Sequence, residues 1–403
     1  MVEDRFPARR WWGTSSFSGD AEVCEHVGKR RPSDHCYQKE VTPHALAPQI
    51  GLAALGKLPS GRFHLGRPDL QIPFHVCLSI GPRRKAGPPQ FKKLIFLTFS
   101  IILCYLKTAM LFPKNKKFAF TIIDDTDFAG IENIRPVYEF LSKLGFRTTK
   151  TVWALPPKDK FKGASLENYR YRQFIGKLKR QGFEIALHNV SSGRLTRQDI
   201  LDGLEIFRRY IGSYPKIQVN HAQNRDNIYW GVKRFSILKP FWRFSYFSGD
   251  NPDSAYFWGD YHQKHIKFTR NFTFKTLNTL ARDPHMPYLD HQKSRFSNYW
   301  FSSSDAGNLA KFNRLLAPSN IDRLKKEGGA AIIYTHFASG FVKKNRLDGL
   351  FQKNLAYLAG QNGWYVTASE LLEYLLTAGA GKPIKSRELL KLEFWWLWDK
   401  IRR

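Results

Sequence analysis

The stretch Phe118-Ala-Phe-Thr-Ile-Ile-Asp-Asp-Thr-Asp127 contains the first clear strand pattern of this chain. It begins with an apolar run of strand length, and three carboxylates follow, at Asp124, Asp125 and Asp127. Strands of a parallel sheet are buried on both faces and therefore have such continuous apolar runs. Neighbouring carboxylates repel one another unless a cation or a proton compensates their charge. We therefore expect a buried parallel strand that ends in a functional acidic cluster; a solvated acidic turn and a helix cap at Asp127 are the structural alternatives.

The sequence after this stretch alternates between strand and helix patterns. Apolar or β-branched runs predict strands at 118–123, 148–155, 183–187, 216–219, 330–334 and 364–366. Helical spacing of apolar residues predicts helices at 131–144, 167–180, 196–211, 306–326, 347–361 and 367–377. Such alternation indicates parallel βαβ units, and about seven or eight of them over roughly 270 residues predict a closed or nearly closed β/α barrel. The aromatic-rich segment 222–300 gives no clear pattern.

The chain is long, apolar enough to fold and strongly basic. Its 403 residues include 64 Lys and Arg against 34 Asp and Glu, which gives a net charge of +30. Hydrophobic residues make up 42%, which excludes a wholly disordered chain, and 4 cysteines are too few for a disulfide scaffold of this size. No run of about twenty uncharged apolar residues occurs, which excludes a multi-pass membrane protein. The charge predicts an anionic partner such as a nucleic acid, an acidic polymer or a membrane face.

Composition divides the chain into three parts. Residues 1–109 form a basic, low-order extension without sustained periodicity, residues 110–378 the expected barrel, and residues 379–403 a basic aromatic helix. The extension contains one apolar run, 94–106, which is short for a membrane span. Met110 stands just before the first strand, so we hypothesise that translation starts there and that the extension is not native. In that case we expect a cytoplasmic protein at the inner face of the membrane.

Histidines stand at the ends of three further predicted strands, at His188, His221 and His336. A single histidine at a strand end is most often a satisfied polar residue. Three of them, together with the acids that follow the first strand, indicate a divalent-metal site with oxygen and nitrogen ligands and a general acid–base pair.

Three motifs lie at these strand ends. They are Thr121–Asp125, Gly182–His188 and Ile332–His336, which read TIIDD, GFEIALH and IIYTH. In this order they resemble the motifs of the polysaccharide deacetylase family, also called carbohydrate esterase family four. The resemblance covers about residues 117–375.

The resemblance implies a distorted (β/α)7 barrel and a metal-dependent hydrolase. Such an enzyme removes acetyl groups from N-acetylated sugars of a polysaccharide or a lipid-linked glycan, so a carbohydrate is the implied substrate. By the resemblance, Asp124 would be the general base and His336 the general acid. Asp125 and His188 would be ligands of one divalent metal ion, usually zinc.

One departure from the family pattern concerns the third metal ligand. Ser192 stands where the family has its second metal histidine, and serine is a poor zinc ligand. His221 is the first candidate for the missing ligand, because it closes the next strand, and Asp127 is the second. The family's Arg-Pro motif also has no clean match, and the segment 220–225, NHAQNR, stands in its place.

Polar and aromatic residues near the strand ends are the expected substrate contacts. They are Asn189, Asn220, Arg225 and Trp230. Polar groups bind sugar hydroxyls, and aromatic rings stack on sugar faces.

The segment 389–403 combines Trp395, Trp396 and Trp398 with basic residues. Aromatic and cationic side chains on one short helix favour an anionic membrane surface. Packing of this helix against the outside of the barrel is the alternative.

Other functions stay open at this point. The barrel would be a non-catalytic carbohydrate-binding protein if its metal site was lost at Ser192. A net charge of +30 suits a nucleic-acid- or membrane-binding protein, but RNP-like, zinc-finger and helix-turn-helix patterns are missing, so we expect no specific nucleic acid. Paired carboxylates also serve glycoside hydrolases, although acids clustered at one strand end suit a metal site better.

Overall fold

The computed structural model of the protein describes residues 112–238 and 245–402. The expectations for the extension 1–109, its apolar run 94–106 and a start at Met110 lie outside these residues. Among the helices of the described part, none combines the length and the apolarity needed to cross a membrane.

The described residues form eleven strands and ten α-helices. The strands are β1 (Phe118–Asp124), β2 (Thr149–Val152), β3 (Glu184–His188), β4 (Ile217–Val219), β5 (Phe268–Phe274), β6 (Tyr288–Leu289), β7 (Tyr299–Asp305), β8 (Ala330–Thr335), β9 (Val342–Lys343), β10 (Arg346–Leu347) and β11 (Gly363–Tyr365). The helices are α1 (Ile131–Lys143), α2 (Tyr169–Arg180), α3 (Arg197–Ile211), α4 (Gly259–His265), α5 (Thr279–Arg282), α6 (Leu309–Leu315), α7 (Pro318–Glu327), α8 (Gly349–Ala359), α9 (Ala368–Thr377) and α10 (Ser386–Ile401).

Parallel strands close into a seven-membered barrel. β1 pairs with β2, and the pairing continues through β3, β4, β5, β7 and β8 back to β1. Asp124 pairs with Thr335, so β1 and β8 end at the same level. β11 adds to the first half of β1, and β6 runs antiparallel beside β7. This arrangement confirms the expected distorted (β/α)7 barrel.

Alternate residues of β1 build two separate cores. All seven residues of this strand are buried. Phe118, Phe120 and Ile122 pack outward against the helices, whereas Ala119 and Ile123 belong to the core inside the barrel. Successive side chains of a strand point to opposite faces, so a continuous apolar run fits a strand that is covered on both sides.

Capping residues near the helix ends explain where α3 begins and ends, whereas one predicted helix is divided in the structure. Thr196 caps α3 in a capping box with Asp199, and Gly212 ends this helix at a φ of 86°, which favours glycine. The single helix predicted at 306–326 is wrong, since the structure has the two helices α6 and α7 there. Pro318 begins α7, and it has no backbone N–H with which to continue α6.

The last helix, α10, is fastened to a loop by a buried carboxylate. Glu393 has no exposed surface and accepts hydrogen bonds from the backbone N–H groups of Ser236, Ile237 and Leu238. Trp396 of the same helix packs against aromatic rings of the barrel side. The packing of α10 against the barrel therefore involves polar as well as apolar contacts.

Asp283 is a buried acid whose ionisation we expect to weaken the fold. Its carboxyl group is fully buried and accepts a hydrogen bond from Ser302 Oγ at 2.6 Å. Burial outweighs this bond and raises the pKa of Asp283 from 3.8 to about 7. The folded protein therefore keeps a proton that the unfolded chain releases, and stability falls as the pH rises through this range. Asp283→Asn should remove this contribution, which amounts to at most ~1.4 kcal/mol per pH unit.

Denaturant unfolding of wild type and variant at about pH 4.5 and about pH 7 measures this effect. We expect the free energy of unfolding to fall less between the two pH values in Asp283→Asn than in the wild type. Asp253→Asn, at an exposed position, serves as the control and should keep the wild-type dependence. Identical pH dependence in all three proteins would contradict the prediction.

Candidate metal centre

Asp127, His188 and His221 bring their ligand atoms together at the C-terminal end of the barrel strands. These atoms lie within 4.8 Å of one another. Asp127 Oδ1 is 3.2 Å from His188 Nε2 and 3.5 Å from His221 Nε2. The side chain of Asp127 is 14% exposed, and the imidazoles are almost fully buried. In the described part of the chain, no other group of three or more His, Cys, Asp or Glu residues has this geometry.

Hydrogen bonds fix the ring orientation of both histidines. His188 Nδ1 lies 3.2 Å from the carbonyl oxygen of Val219, and His221 Nδ1 lies 3.0 Å from Asn224 Oδ1. The Asn224 amide is oriented by its other bonds, since Oδ1 also accepts a backbone N–H and Nδ2 donates to Ser191 O. Both acceptors are carbonyl oxygens, so each Nδ1 carries the proton and donates it. In the neutral form of each imidazole, Nε2 then presents a lone pair to the cluster, as a metal-binding histidine does.

Two buried atoms of this cluster lack a hydrogen-bond partner. They are Asp127 Oδ1 and His221 Nε2. A carboxylate oxygen and an imidazole lone pair that face one another repel unless a proton or a cation lies between them. One Asp oxygen and two His nitrogens form a donor set that suits zinc and related divalent ions. The residues present therefore fit a divalent metal ion.

Asp125 lies beside the cluster and is held by Arg270 of β5. The guanidinium donates to the two carboxylate oxygens at 3.1 and 2.6 Å, and both side chains are almost fully buried. Burial acts to raise the pKa of Asp125, but the charge of Arg270 and that of His188 outweigh it and lower the pKa. The geometry thus groups Asp127, and not the predicted ligand Asp125, with the two histidines.

Asp124, the predicted general base, ends β1 and has no exposed surface. Lys150 Nζ lies 2.9 Å from Asp124 Oδ2, and Tyr138 donates its hydroxyl proton to the same oxygen at 3.0 Å. The backbone N–H of Phe337 donates to Oδ1 at 2.8 Å. All these partners are protein groups, and Asp124 does not line the cavity into which Asp125 opens.

His336, the predicted general acid, contacts the other carboxylate oxygen of Asp127. Its Nε2 lies 3.2 Å from Asp127 Oδ2, and its Nδ1 donates to the carbonyl oxygen of Gly307 at 2.9 Å. Burial acts to lower the pKa of His336, but the bond to Asp127 and the charge of Asp125 raise it to about 9. For Asp127, burial acts to raise the pKa, but interactions with His188 and His336 outweigh it and lower the pKa.

The cluster opens into a cavity of about 370 Å³. Acidic, basic, amide and aromatic groups line it, namely Asp125, Asp127, His188, Asn220, Trp230, Arg234, Arg270, Asp305, Lys311, Tyr334, His336 and Lys400. A cavity of this size and polarity suits part of a polar substrate.

Two of the four predicted substrate residues, Asn220 and Trp230, line this cavity. The amide of Asn220 also forms hydrogen bonds with the backbone C=O and N–H groups of Ile228. Asn189 has no exposed surface, and its amide is used in hydrogen bonds that hold neighbouring loops. Arg225 lies outside the cavity lining, with its guanidinium 4.6 Å from the ring centre of Tyr246.

Ser192, which the sequence resemblance aligns with a metal histidine, is not part of the cluster. Its hydroxyl group lies 2.8 Å from each carboxylate oxygen of Asp159, to which it donates. His221, which follows the next strand, β4, lies in the cluster instead.

Sequence reasoning missed Arg270 and Lys150. Both stand inside short apolar or β-branched strands, where a charged residue is rarely buried without a partner. A cation in such a strand was therefore a usable signal for a buried carboxylate nearby.

Asn224→Ala should weaken metal binding without removing a ligand. Its carbonyl oxygen accepts the Nδ1 proton of His221 and so aims Nε2 at the cluster. Loss of such a partner typically lowers metal affinity by about 10–100-fold. Competition with a chromogenic chelator measures the affinity for zinc. Asn298→Ala is the control, because that amide donates to Gln263 and Ile266 elsewhere, and an equal loss in both variants would contradict the prediction.

No protein-family model matches this chain, and no curated protein matches it. Solved structures with a similar fold do match, and three of them are the following. A Mycobacterium smegmatis protein assigned as a polysaccharide deacetylase is 12% identical, with a TM-score of 0.43 over 70% of this chain and 97% of that one. Peptidoglycan deacetylase PdaC from Bacillus subtilis is 14% identical, with a TM-score of 0.34 over 66% and 95%. A family 4 acetyl xylan esterase from Clostridium thermocellum, in complex with a cobalt ion, is 12% identical, with a TM-score of 0.27 over 69% and 91%.

At these identities and TM-scores the likeness says nothing about activity. The barrel is established by the strand pairing of this chain itself.

Proposed function

We propose that this protein is a metal-dependent hydrolase that removes acetyl groups from N-acetylated sugars of a polysaccharide or a lipid-linked glycan. The observation that carries the proposal is the cluster of Asp127, His188 and His221, with its unpartnered buried oxygen and nitrogen. Three protein ligands are typical of catalytic zinc sites, which keep a coordination position open. The order of the strand-end motifs supports the same class.

Asp127, His188 and His221 would hold the ion, and zinc suits their donor set. A divalent ion bound there lowers the pKa of a water molecule and polarises a carbonyl group. The remaining chemistry falls to the side chains that line the cavity.

Asp125 is our candidate general base, in place of Asp124. A base has to reach the proton that it takes, and of these two only Asp125 lines the cavity. Arg270 fixes the orientation of the Asp125 carboxylate and keeps it ionised. In this role Asp125 accepts a proton as water attacks the acetamido carbonyl.

His336 is our candidate general acid. It lines the cavity, and its ring is fixed by the bond from Nδ1 to Gly307 O. Its Nε2 can then pass a proton to the departing amine. Asn220 and Trp230 are the proposed sugar contacts from the same cavity wall.

Elemental analysis and an acetate-release assay test the proposal together. We expect about one divalent ion per chain and acetate release from N-acetylated chito-oligosaccharides. Asp125→Asn should keep the ion and lose acetate release. An ion without acetate release from any N-acetylated glycan would favour a non-catalytic carbohydrate-binding barrel, and the absence of metal uptake would overturn the proposal.

We also propose that α10 places the protein at an anionic membrane surface on the cytoplasmic side. Leu389 and Leu392 are buried, whereas Phe394, Trp398 and Ile401 are 54%, 37% and 75% exposed. Exposed aromatic and aliphatic groups beside basic residues favour the interface of anionic lipids.

Co-sedimentation with phosphatidylserine vesicles, compared with phosphatidylcholine vesicles, tests the membrane proposal. A variant with Phe394→Ser and Trp398→Ser should lose most of the binding. Tyr169→Ser is the control, because Tyr169 is 64% exposed on α2. Equal binding of all three proteins would refute it.

A further inference from the structure

Arg234 is a buried cation in the wall of the cavity that contains the metal cluster. It ends a short 3₁₀ turn, Gly231–Arg234, and is only 7% exposed. It lines the same cavity as Asp127 and His336. Its position therefore brings a guanidinium group within reach of any molecule that enters this cavity.

No carboxylate of the described residues forms an ion pair with Arg234. Two other cations of the cavity wall differ in this respect. Arg270 is paired with Asp125, and Lys311 lies 3.2 Å from Asp305. Arg234 Nε is buried and has no hydrogen-bond partner among the described residues.

Two indole rings hold the guanidinium of Arg234 in place. Its Cζ lies 3.8 Å from the ring centre of Trp230 and 4.8 Å from that of Trp396. Stacking on aromatic faces is favourable for arginine, but it does not supply a counter-charge or satisfy the N–H donors. Burial, together with repulsion from Arg270, lowers the pKa of Arg234, so the charged form lacks compensation. An anion in the cavity would provide it.

Lys400 of α10 adds a second positive charge to the same wall. Its Nζ lies 5.4 Å from the ring centre of Trp396, and it has no ion pair among the described residues. Arg234 and Lys400 therefore flank one indole ring, and both lack a carboxylate partner. Two unmatched cations suit a doubly charged oxyanion better than a single carboxylate.

We propose that Arg234 and Lys400 form a phosphate-binding subsite next to the metal cluster. The substrate of the proposed hydrolase is then an N-acetylated sugar that carries a phosphate or diphosphate group. This inference rests on the proposed function for the reaction, but the subsite itself does not depend on it. Arginine contributes its planar fork of donors to the phosphate oxygens, and lysine contributes a point charge.

Isothermal titration with inorganic phosphate tests the subsite in metal-free protein, where phosphate has no metal ion to bind. We expect saturable binding that weakens by about 10–100-fold in Arg234→Met and by a smaller factor in Lys400→Met. Lys400 is exposed, so its variant keeps the test meaningful if Arg234→Met fails to fold. Arg282→Met is the matched control, because Arg282 also stacks on an indole, at 4.3 Å from Trp395, but outside this cavity.

The phosphate-binding results test the subsite independently of any catalytic activity. Absence of phosphate binding, or equal binding by the wild type and both variants, would overturn it. Binding that is lost equally in Arg282→Met would also do so, because it would reflect general charge.

Acetate release by the metal-loaded protein then identifies the source of the phosphate. N-acetylglucosamine 1-phosphate should be hydrolysed with a lower KM than N-acetylglucosamine, and Arg234→Met should remove this difference. A preference for a lipid-linked N-acetylglucosamine diphosphate over the free sugar phosphate would assign the subsite to a lipid-linked substrate. Phosphate binding without any acetate release would leave the subsite standing and refute the hydrolase.

Discussion

Replacing Asp127 by asparagine should abolish the binding of a divalent cation at the barrel mouth and all acetate release with it. The carboxylate lies between His188 and His336, and its Oδ1 also faces His221. Asparagine keeps the shape but removes the charge and the ligand strength that a divalent ion requires. We expect the affinity for zinc to fall by at least about a hundredfold, more than the loss of an outer hydrogen bond would cause. Elemental analysis and chelator competition measure it.

Asp125→Asn and Asp305→Asn are matched controls, since both residues line the same cavity. Each should keep zinc affinity within about tenfold of the wild type. Loss of the ion in Asp125→Asn, with retention in Asp127→Asn, would restore Asp125 as the ligand that the family resemblance implies.

Replacing Lys150 by methionine should destabilise the protein by about 3–5 kcal/mol, because the substitution leaves a buried carboxylate without its counter-charge. Lys150 and Asp124 are both fully buried, and their charged atoms lie 2.9 Å apart. Burial acts to lower the pKa of Lys150, but Asp124 outweighs it and raises the pKa, so Lys150 keeps its charge in the fold. The free energy of unfolding, measured in urea on the metal-free protein, gives the loss directly.

The double variant Asp124→Asn with Lys150→Met separates the missing charge from the missing side chain. It should recover most of the stability, because no unpaired charge remains. Lys216→Met is the surface control; its ion pair with Glu373 is exposed, and we expect a change of at most about 1 kcal/mol. If the double variant folds, binds zinc and still releases acetate, Asp124 has no role as a base. A folded, zinc-bound but inactive double variant would support the general base that the family resemblance implies.

The barrel could be predicted from sequence because its strands and helices carry local signals. The apolar run of β1 and the capping box at Thr196 are examples, and both depend on residues close in the chain. β5 and β7 could not be found in the same way. β5 lies in the aromatic-rich segment 222–300, and β7 begins at its end. β5 also contains the charged residue Arg270, whose burial is explained only by Asp125 beside it.

The sequence indicated that a candidate site lies at the strand ends, but it did not indicate which carboxylate joins the histidines. Strand ends indicate which side chains can meet, because the C-terminal ends of parallel strands share one edge. They do not indicate which of three nearby carboxylates faces the histidines. That choice depends on partners far along the chain: Lys150 engages Asp124, and Arg270 engages Asp125. Only Asp127 therefore groups with His188 and His221.

The attachment of α10 has a practical consequence for recombinant production. Glu393 of this helix accepts hydrogen bonds from a loop that follows Arg234 closely, and Trp396 lies against the Arg234 guanidinium. A purification tag or fusion partner joined directly after this helix would begin beside Lys400, which lines the cavity next to the metal cluster. Affinity tags therefore belong at the amino end, and a truncation before Ser386 would remove Lys400 from the cavity wall and Trp396 from its contact with Arg234.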